Sequence, residues 1–395
     1  MKRAWIGPIG LIASLLALRS APSGARDAER VQHVVVGRGS ALSACEGIDA
    51  SNGNHASSDF PRTPQVVFRT RLGGGIGQAP ASDAHGNLLI VHSEPRLSKL
   101  DARGRTLWSE RLGSEASAAP VLTSSGTIVV VSRDGEAAFY STAGQLQIKR
   151  ALPLSDPRRR SLTIPAGNGG AWVASGSELL QLDEQGTVLR KMRARSAIST
   201  IAEANAQLVS VCENGDVQVA RATGDLELIG TFGGRVPEGA ALSAGKVLAV
   251  VDGHKWCALD LQTGRVTTLA NEQSLTLSGP PALLEAPSAA LAAGGFVSIR
   301  GKDGTELGRI ALSVSNQGLD PSTRGLRPAL VVSDRQGAVA AVQGESDALV
   351  LRPGGSALRL DDTNCLEPFR PTPTKGGLVF ACRSGQLFGV SDKGP

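Results

Sequence analysis

The sequence predicts an all-β protein, a propeller of four-stranded antiparallel blades. Three observations predict it. A unit of about 40 residues repeats through most of the chain. Each unit carries short aliphatic or β-branched strands that end at glycine turns. Beyond the first 25 residues no amphipathic helix of useful length appears.

The N-terminus reads as an export signal. Met1-Lys2-Arg3 is basic, Ala4 to Leu18 is apolar and too short for a comfortable membrane span, and Ser23 and Ala25 are small residues suited to cleavage after Ala25. An uncleaved anchor is the alternative. Residues 26–63, rich in Ser, Asn, Asp and Pro toward their end, read as a flexible linker. Within them Leu42-Ser43-Ala44-Cys45 has the small-residue–Cys pattern of a lipobox, which makes Cys45 the candidate for lipidation. Arg38 and the polar run 26–32 separate it from the apolar stretch that a lipobox normally follows directly.

From residue 64 to 395 the repeat takes over. Gln78 to Leu112 and the unit that follows share one order: Ala-Pro, a polar turn with Gly, a four-residue aliphatic strand, a second turn, a third strand, and a Gly turn. Pro80 and Pro120 lie 40 residues apart, as do Gly86 and Gly126. The closing turn recurs at Gly104, Gly144, Gly186, Gly224, Gly264, Gly304, Gly354 and Gly394. These turns predict eight blades, with seven as the alternative. The last repeat breaks off after its third strand. Before the first repeat an extra segment, Val67-Phe68-Arg69-Thr70-Arg71-Leu72-Gly73, aligns with Leu107-Trp108-Ser109-Glu110-Arg111-Leu112-Gly113. The N-terminal strand is therefore expected to complete the last blade, a closure that removes two exposed sheet edges.

Ala79-Pro80 followed by Leu100-Asp101-Ala102-Arg103-Gly104-Arg105-Thr106-Leu107-Trp108 resembles the quinoprotein-type (PQQ-like) propeller repeat. The resemblance covers roughly residues 64–395 and speaks for fold more than function. The repeat-ending Trp survives only as Trp108, with Phe68 as its substitute, while Trp172 and Trp256 fall on other strands. Contacts between blades are therefore expected to rely on aliphatic residues. The same fold occurs in a periplasmic lipoprotein that helps assemble outer-membrane proteins. Quinoprotein dehydrogenases, by contrast, use a vicinal Cys pair, a Trp platform and a calcium site, and the chain has no adjacent cysteines.

Composition narrows the function classes. Of 41 basic residues, Lys2, Arg3 and Arg19 precede the expected cleavage point, leaving 38 basic against 36 acidic residues and no reason to expect nucleic acid. Aromatic residues make up only 3%. The five cysteines include no CxxC and no Cys/His cluster, so no metal site is expected. Export permits disulfides. Cys212 and Cys382 share a repeat position on opposite sides of the ring, so Cys365 with Cys382 is the favoured pair and Cys212 with Cys257 the second. The alternative is that all are small buried hydrophobes. Asp101 and Asp183 open Asp-x-x-Gly turns, expected to cap their own backbone rather than to bind calcium. His85, His92 and His254 are expected in surface turns, with His33 and His55 in the linker. Arg158-Arg159-Arg160 is expected in a solvated loop between the second and third blades.

No residue set for catalysis is visible and no cofactor is expected. The reading is a non-catalytic, exported propeller, periplasmic or secreted, that binds or scaffolds an envelope protein. Membrane association would come only through a retained signal or a lipid on Cys45. The alternatives are a quinoprotein-like dehydrogenase and a carbohydrate- or peptide-acting hydrolase or lyase with loop-borne acid and base residues.

Overall fold

The computed structural model describes residues 41–43, 56–204, 207–221, 224–272, 277–284, 289–293, 296–301, 303–311, 330–334, 336, 338–342, 348–351, 358–360, 365 and 367–392. The expected export signal, Cys45, His33 and His55 lie outside the described residues, as do Gly354 and Gly394.

Among the described residues every helix or strand is a strand, and the strands form eight sheets. Each is an antiparallel meander that becomes one blade. The first blade runs outward through Ala81–Asp83, Leu88–Val91, Arg96–Leu100 and Thr106–Arg111, and the second through Val121–Leu122, Ile128–Val131, Glu136–Tyr140 and Leu146–Ala151. The third comprises Ser161–Pro165, Ala171–Ser175, Glu178–Leu182 and Val188–Arg193. In the last blade Thr372–Thr374, Gly377–Ala381 and Gln386–Asp392 are completed on the outside by Pro64–Arg71, which pairs with Gln386–Asp392. The N-terminal strand thus closes the ring. Among the described residues, the first blade alone gains an extra inner strand, Ala41–Ser43.

Second strands such as Leu88-Leu89-Ile90-Val91 and Ile128-Val129-Val130-Val131 are buried on both faces. A blade is flanked by neighbours on either side, so its middle strands read as continuous aliphatic runs rather than alternating ones. The core accordingly lies in the seams. One cluster joins Leu89, Val91 and Leu97 of the first blade to Leu122, Ile128 and Val130 of the second. Another joins Leu88, Ile90 and Leu100 to Val379, Ala381 and Leu387 of the last.

Along the inner strands, hydroxyls add bonds between neighbouring blades. Ser82 Oγ donates to the Pro373 carbonyl of the last blade at 2.5 Å, and Thr163 Oγ1 to the Ala119 carbonyl of the second at 3.3 Å. Thr200 Oγ1 accepts from the Ala240 amide at 2.8 Å, across the seam between the fourth and fifth blades. These bonds explain why Ser82, Thr163 and Thr200 are buried polar residues.

The repeat-ending aromatic also acts across a seam. Trp108, on the outer strand of the first blade, covers the turn at Gly144 in the second, and its Nε1 donates to the Thr142 carbonyl at 3.1 Å. Gly144 has a φ of 87°, and a Cβ there would lie 2.7 Å from the indole. Glycine is needed both for the turn and for the ring stacked on it. At the seam between the fifth and sixth blades the backbones close in instead: the Gly304 turn rests directly on the Leu269 carbonyl of the preceding outer strand.

The stretch 26–63 departs from a uniformly solvated linker at its end. Ala56 and Phe60 are buried, in a cluster with Val332 and Val350 of the penultimate blade and Leu378 and Phe380 of the last. The Ala56 amide donates to the Ser333 carbonyl at 2.7 Å, and the Phe60 amide to Asp334 Oδ2 at 2.7 Å. Burial of Phe60 in a seam provides a local anchor before the closing strand begins.

Candidate functional site

The outer strands carry the most unusual surface. Most are interrupted by a β-bulge that leaves one residue unpaired: Val67 in the last blade, Leu107 in the first, Leu189 in the third and Leu307 in the sixth. All four side chains are more than half exposed, as is Leu146 beside the bulge of the second blade. A bulge twists the edge and breaks its ladder, which blocks addition of a further strand. Recognition on this rim therefore rests on side chains.

Four of these apolar residues fall on the last and first three blades, which are neighbours around the ring. In three of those blades an exposed arginine follows at four residues' distance: Val67 with Arg71, Leu107 with Arg111, Leu189 with Arg193. Arg71, Arg111 and Arg193 occupy one register position, opposite the first residue of the third strand. The second blade shifts the motif by a residue, to Leu146 and Arg150. This arc is also the basic part of the ring: residues 64–197 hold 17 basic and 11 acidic residues, residues 198–395 hold 17 and 20. Exposed apolar side chains beside arginine, a residue enriched at interfaces, make this rim a candidate protein-binding surface. The sequence carried the signal in the alignment of Val67–Arg71 with Leu107–Arg111, but not the exposure.

The sequence-derived candidates are distributed elsewhere. Cys365 and Cys382 are joined in a disulfide, with Cα atoms 5.4 Å apart. Cys212 and Cys257 are not paired: both are free and buried. The expected second disulfide is thus corrected, because Cys212 packs into the seam between the third and fourth blades and Cys257 into that between the fourth and fifth. Burial pushes both thiols up. Asp101 and Asp183 cap their own turns: Asp101 Oδ1 accepts from the Arg103 and Arg105 amides at 2.9 Å, and Asp183 Oδ1 from Gln185 and Thr187 at 2.9 and 2.7 Å.

Of the described histidines, His85 is exposed in a hairpin and His254 is tied through Nδ1 to the Asp252 carbonyl at 2.9 Å. His92 is corrected from a surface turn residue to a buried one. Its Nε2 lies 2.9 Å from Ser98 Oγ, which lies 2.9 Å from Ser109 Oγ. Burial and, after it, Arg96 lower its pKa, against the pull of Glu94. His85 and His254 lie on hairpins at opposite ends of their blades, so they form no shared site. Arg159 in the loop between the second and third blades pairs with Asp156 at 3.3 Å, both exposed. No three His, Cys, Asp or Glu side chains among the described residues converge as metal ligands.

Two buried carboxyls respond to their surroundings in opposite ways. Glu203, on the inner strand Ile198–Ala204 of the fourth blade, accepts from Trp172 Nε1 at 2.7 Å and from the Gly167 amide of the third. Burial pushes this carboxyl up, against those bonds. Asp83 behaves oppositely. Burial opposes its ionisation, but Asn87 and Lys99, the latter at 2.9 Å, outweigh it and hold the carboxyl below its usual range.

The strands define a β-propeller of four-stranded blades, and its repeat resembles the PQQ-like type. The chain resembles BamB: residues 46–211 match the family model described as outer membrane protein assembly factor BamB. The crystal structure of BamB from Moraxella catarrhalis is similar with a TM-score of 0.62 at 15% identity, covering 83% of this chain and all of that one. The computationally designed Ika8 protein gives 0.63 at 16% identity, over 82% of this chain and 99% of that one. A virginiamycin B lyase from Staphylococcus aureus gives 0.51 at 11% identity, over 83% and 99%. No curated protein matches the chain in sequence. At these identities the structural likeness concerns fold.

Proposed function

We propose that the chain is a non-catalytic, exported, eight-bladed propeller that binds a protein partner of the cell envelope through the outer rim of its last and first three blades. The observation that carries this reading is the repeated pair of an exposed bulge residue and an arginine: Val67 with Arg71, Leu107 with Arg111, Leu189 with Arg193. The eight separate sheets support the blade count. The BamB-like repeat supports a scaffold in the periplasm or at the outer membrane. Export after residue 25 suits the Cys365–Cys382 disulfide, and lipidation of Cys45 would add an anchor. The packing of Ala56 and Phe60 supports a domain that starts near residue 56 rather than 64.

The test is capture of envelope proteins by the mature chain and by two variants. Leu107→Asp with Leu189→Asp is expected to weaken the captured partner's binding by about tenfold or more, the loss typical of an interface anchor. Leu307→Asp, a still more exposed bulge residue on the sixth blade, should leave it unchanged. Equal loss in both variants would refute a localised rim. A quinone absorbance accompanied by bound calcium would instead make the protein a dehydrogenase.

A further inference from the structure

We propose that the channel-side edge of the first blade is a strand-addition site for an extended peptide, and that the chain's own Ala41–Ser43 fills it as a displaceable strand. This site is separate from the outer rim and does not depend on it.

The extra strand is what sets the first blade apart. Ala41–Ser43 pairs antiparallel with the inner strand Ala81–Asp83, placing Ala41 opposite Asp83 and Ser43 opposite Ser82. It also runs beside Thr372–Thr374 of the last blade. The edge it covers has a defined chemistry. The Asp83 amide donates outward to the Asn87 carbonyl at 2.9 Å. Alternation along an antiparallel ladder then turns the N–H and C=O of Ser82 away from its own blade, toward the added strand. Ser82 is fully buried, and its hydroxyl is already committed to Pro373. Its backbone groups therefore need a partner from the channel side.

Two features make the resident strand exchangeable. It is three residues long, and its register is irregular between Ala41 and Ser43. A pairing that short contributes little on its own. Most outer edges are bulged, whereas the inner edge of the first blade already carries an added strand and so can take a backbone partner. The occupant has the chemistry of the resident segment: an extended chain of small and aliphatic residues, laid antiparallel to Ala81–Asp83. Processing bears on the outcome. Cleavage before Cys45 would remove Ala41–Ser43 and leave the edge open, whereas cleavage after Ala25 would leave it filled.

The experiment uses the mature chain from residue 26 and its variant Ala41→Pro with Ser43→Pro. The variant removes two backbone donors of the resident strand without touching a blade. The probe is a fluorescent synthetic peptide of residues 36–46 carrying Cys45→Ser. The variant should keep its cooperative unfolding, exchange the amide of Ser82 about tenfold faster or more, and bind the probe in competition with unlabelled peptide. The unmodified chain should bind it at least tenfold more weakly. Unchanged exchange at Ser82 would show that the resident strand does not hold this edge. Binding of a scrambled peptide as tightly as the probe, or failure of the variant to bind it, would overturn the site. The rim variant Leu107→Asp with Leu189→Asp serves as the control. With its resident strand intact it should match the unmodified chain, so failure of the rim reading leaves this result standing.

Discussion

Glu203 shows how a single side chain ties two blades together at an electrostatic cost. Its carboxylate accepts the Trp172 indole N–H and the Gly167 amide, yet burial raises its pKa. The folded form therefore binds a proton more readily than the unfolded chain does. Stability from this residue increases as the pH falls through the raised pKa toward the ordinary Glu range, and is lost again as pH rises. Glu203→Gln removes the titration and keeps one acceptor. The melting temperature of the unmodified protein, relative to that of Glu203→Gln, should therefore be higher at pH 5 than at pH 8. A difference independent of pH, measured by thermal unfolding across that range, would assign Glu203 an ordinary ionisation. Asp83 has the opposite sign: its lowered pKa supplies stability above the ordinary Asp range that disappears on stronger acidification. None of this was legible in the sequence. Glu203 follows no motif, and its partners sit 31 and 36 residues away on another blade.

Among the elements, the strands were the most legible and their attachments the least. Aliphatic runs such as Leu88–Val91 announce themselves, because a middle strand between two blades is apolar on both faces. The turn glycines from Gly104 to Gly304 all take positive φ, as a repeated tight turn requires. The two-residue pairing of cysteines was partly legible. Cys365 and Cys382 lie 17 positions apart in the last blade, whereas Cys212 and Cys257 point into different seams, a fact that only packing reveals. Replacing Cys365 and Cys382 together by Ser should cost about 3 kcal/mol, the loop-closure term for a crosslink of this span. The check is chemical unfolding of oxidised protein against the double variant. Equal midpoints would show that the crosslink adds nothing to the last blade. Phe60 illustrates the opposite failure. In a polar stretch it read as part of a linker, yet it is buried against two blades.

At the scale of the whole molecule the ring depends on closure. Pro64–Arg71 contributes the outer strand of a blade whose other strands come from the C-terminal end of the chain. The seam also holds Phe68 against a cluster containing Leu100 and Leu387. Deleting residues 64–71 should expose the edge of Gln386–Asp392, lower the melting temperature by several degrees and promote association. Calorimetry and light scattering would check both effects, and an unchanged, monomeric protein would argue against closure by this strand.

The repeat, the strand and turn chemistry within each blade, and the identity of the closing strand can all be read from the chain before it folds. Those properties are periodic and local: a four-residue aliphatic strand and its glycine turn are encoded within a dozen residues and then repeated. Only the packed ring fixes which polar residues staple the seams, that Cys212 and Cys257 stay apart, which leucines are exposed on the rim, and that Ala41–Ser43 lies on the inner edge of the first blade. Each of these depends on residues brought together from different blades. A weakly patterned three-residue strand leaves no periodic trace of the partner it will find.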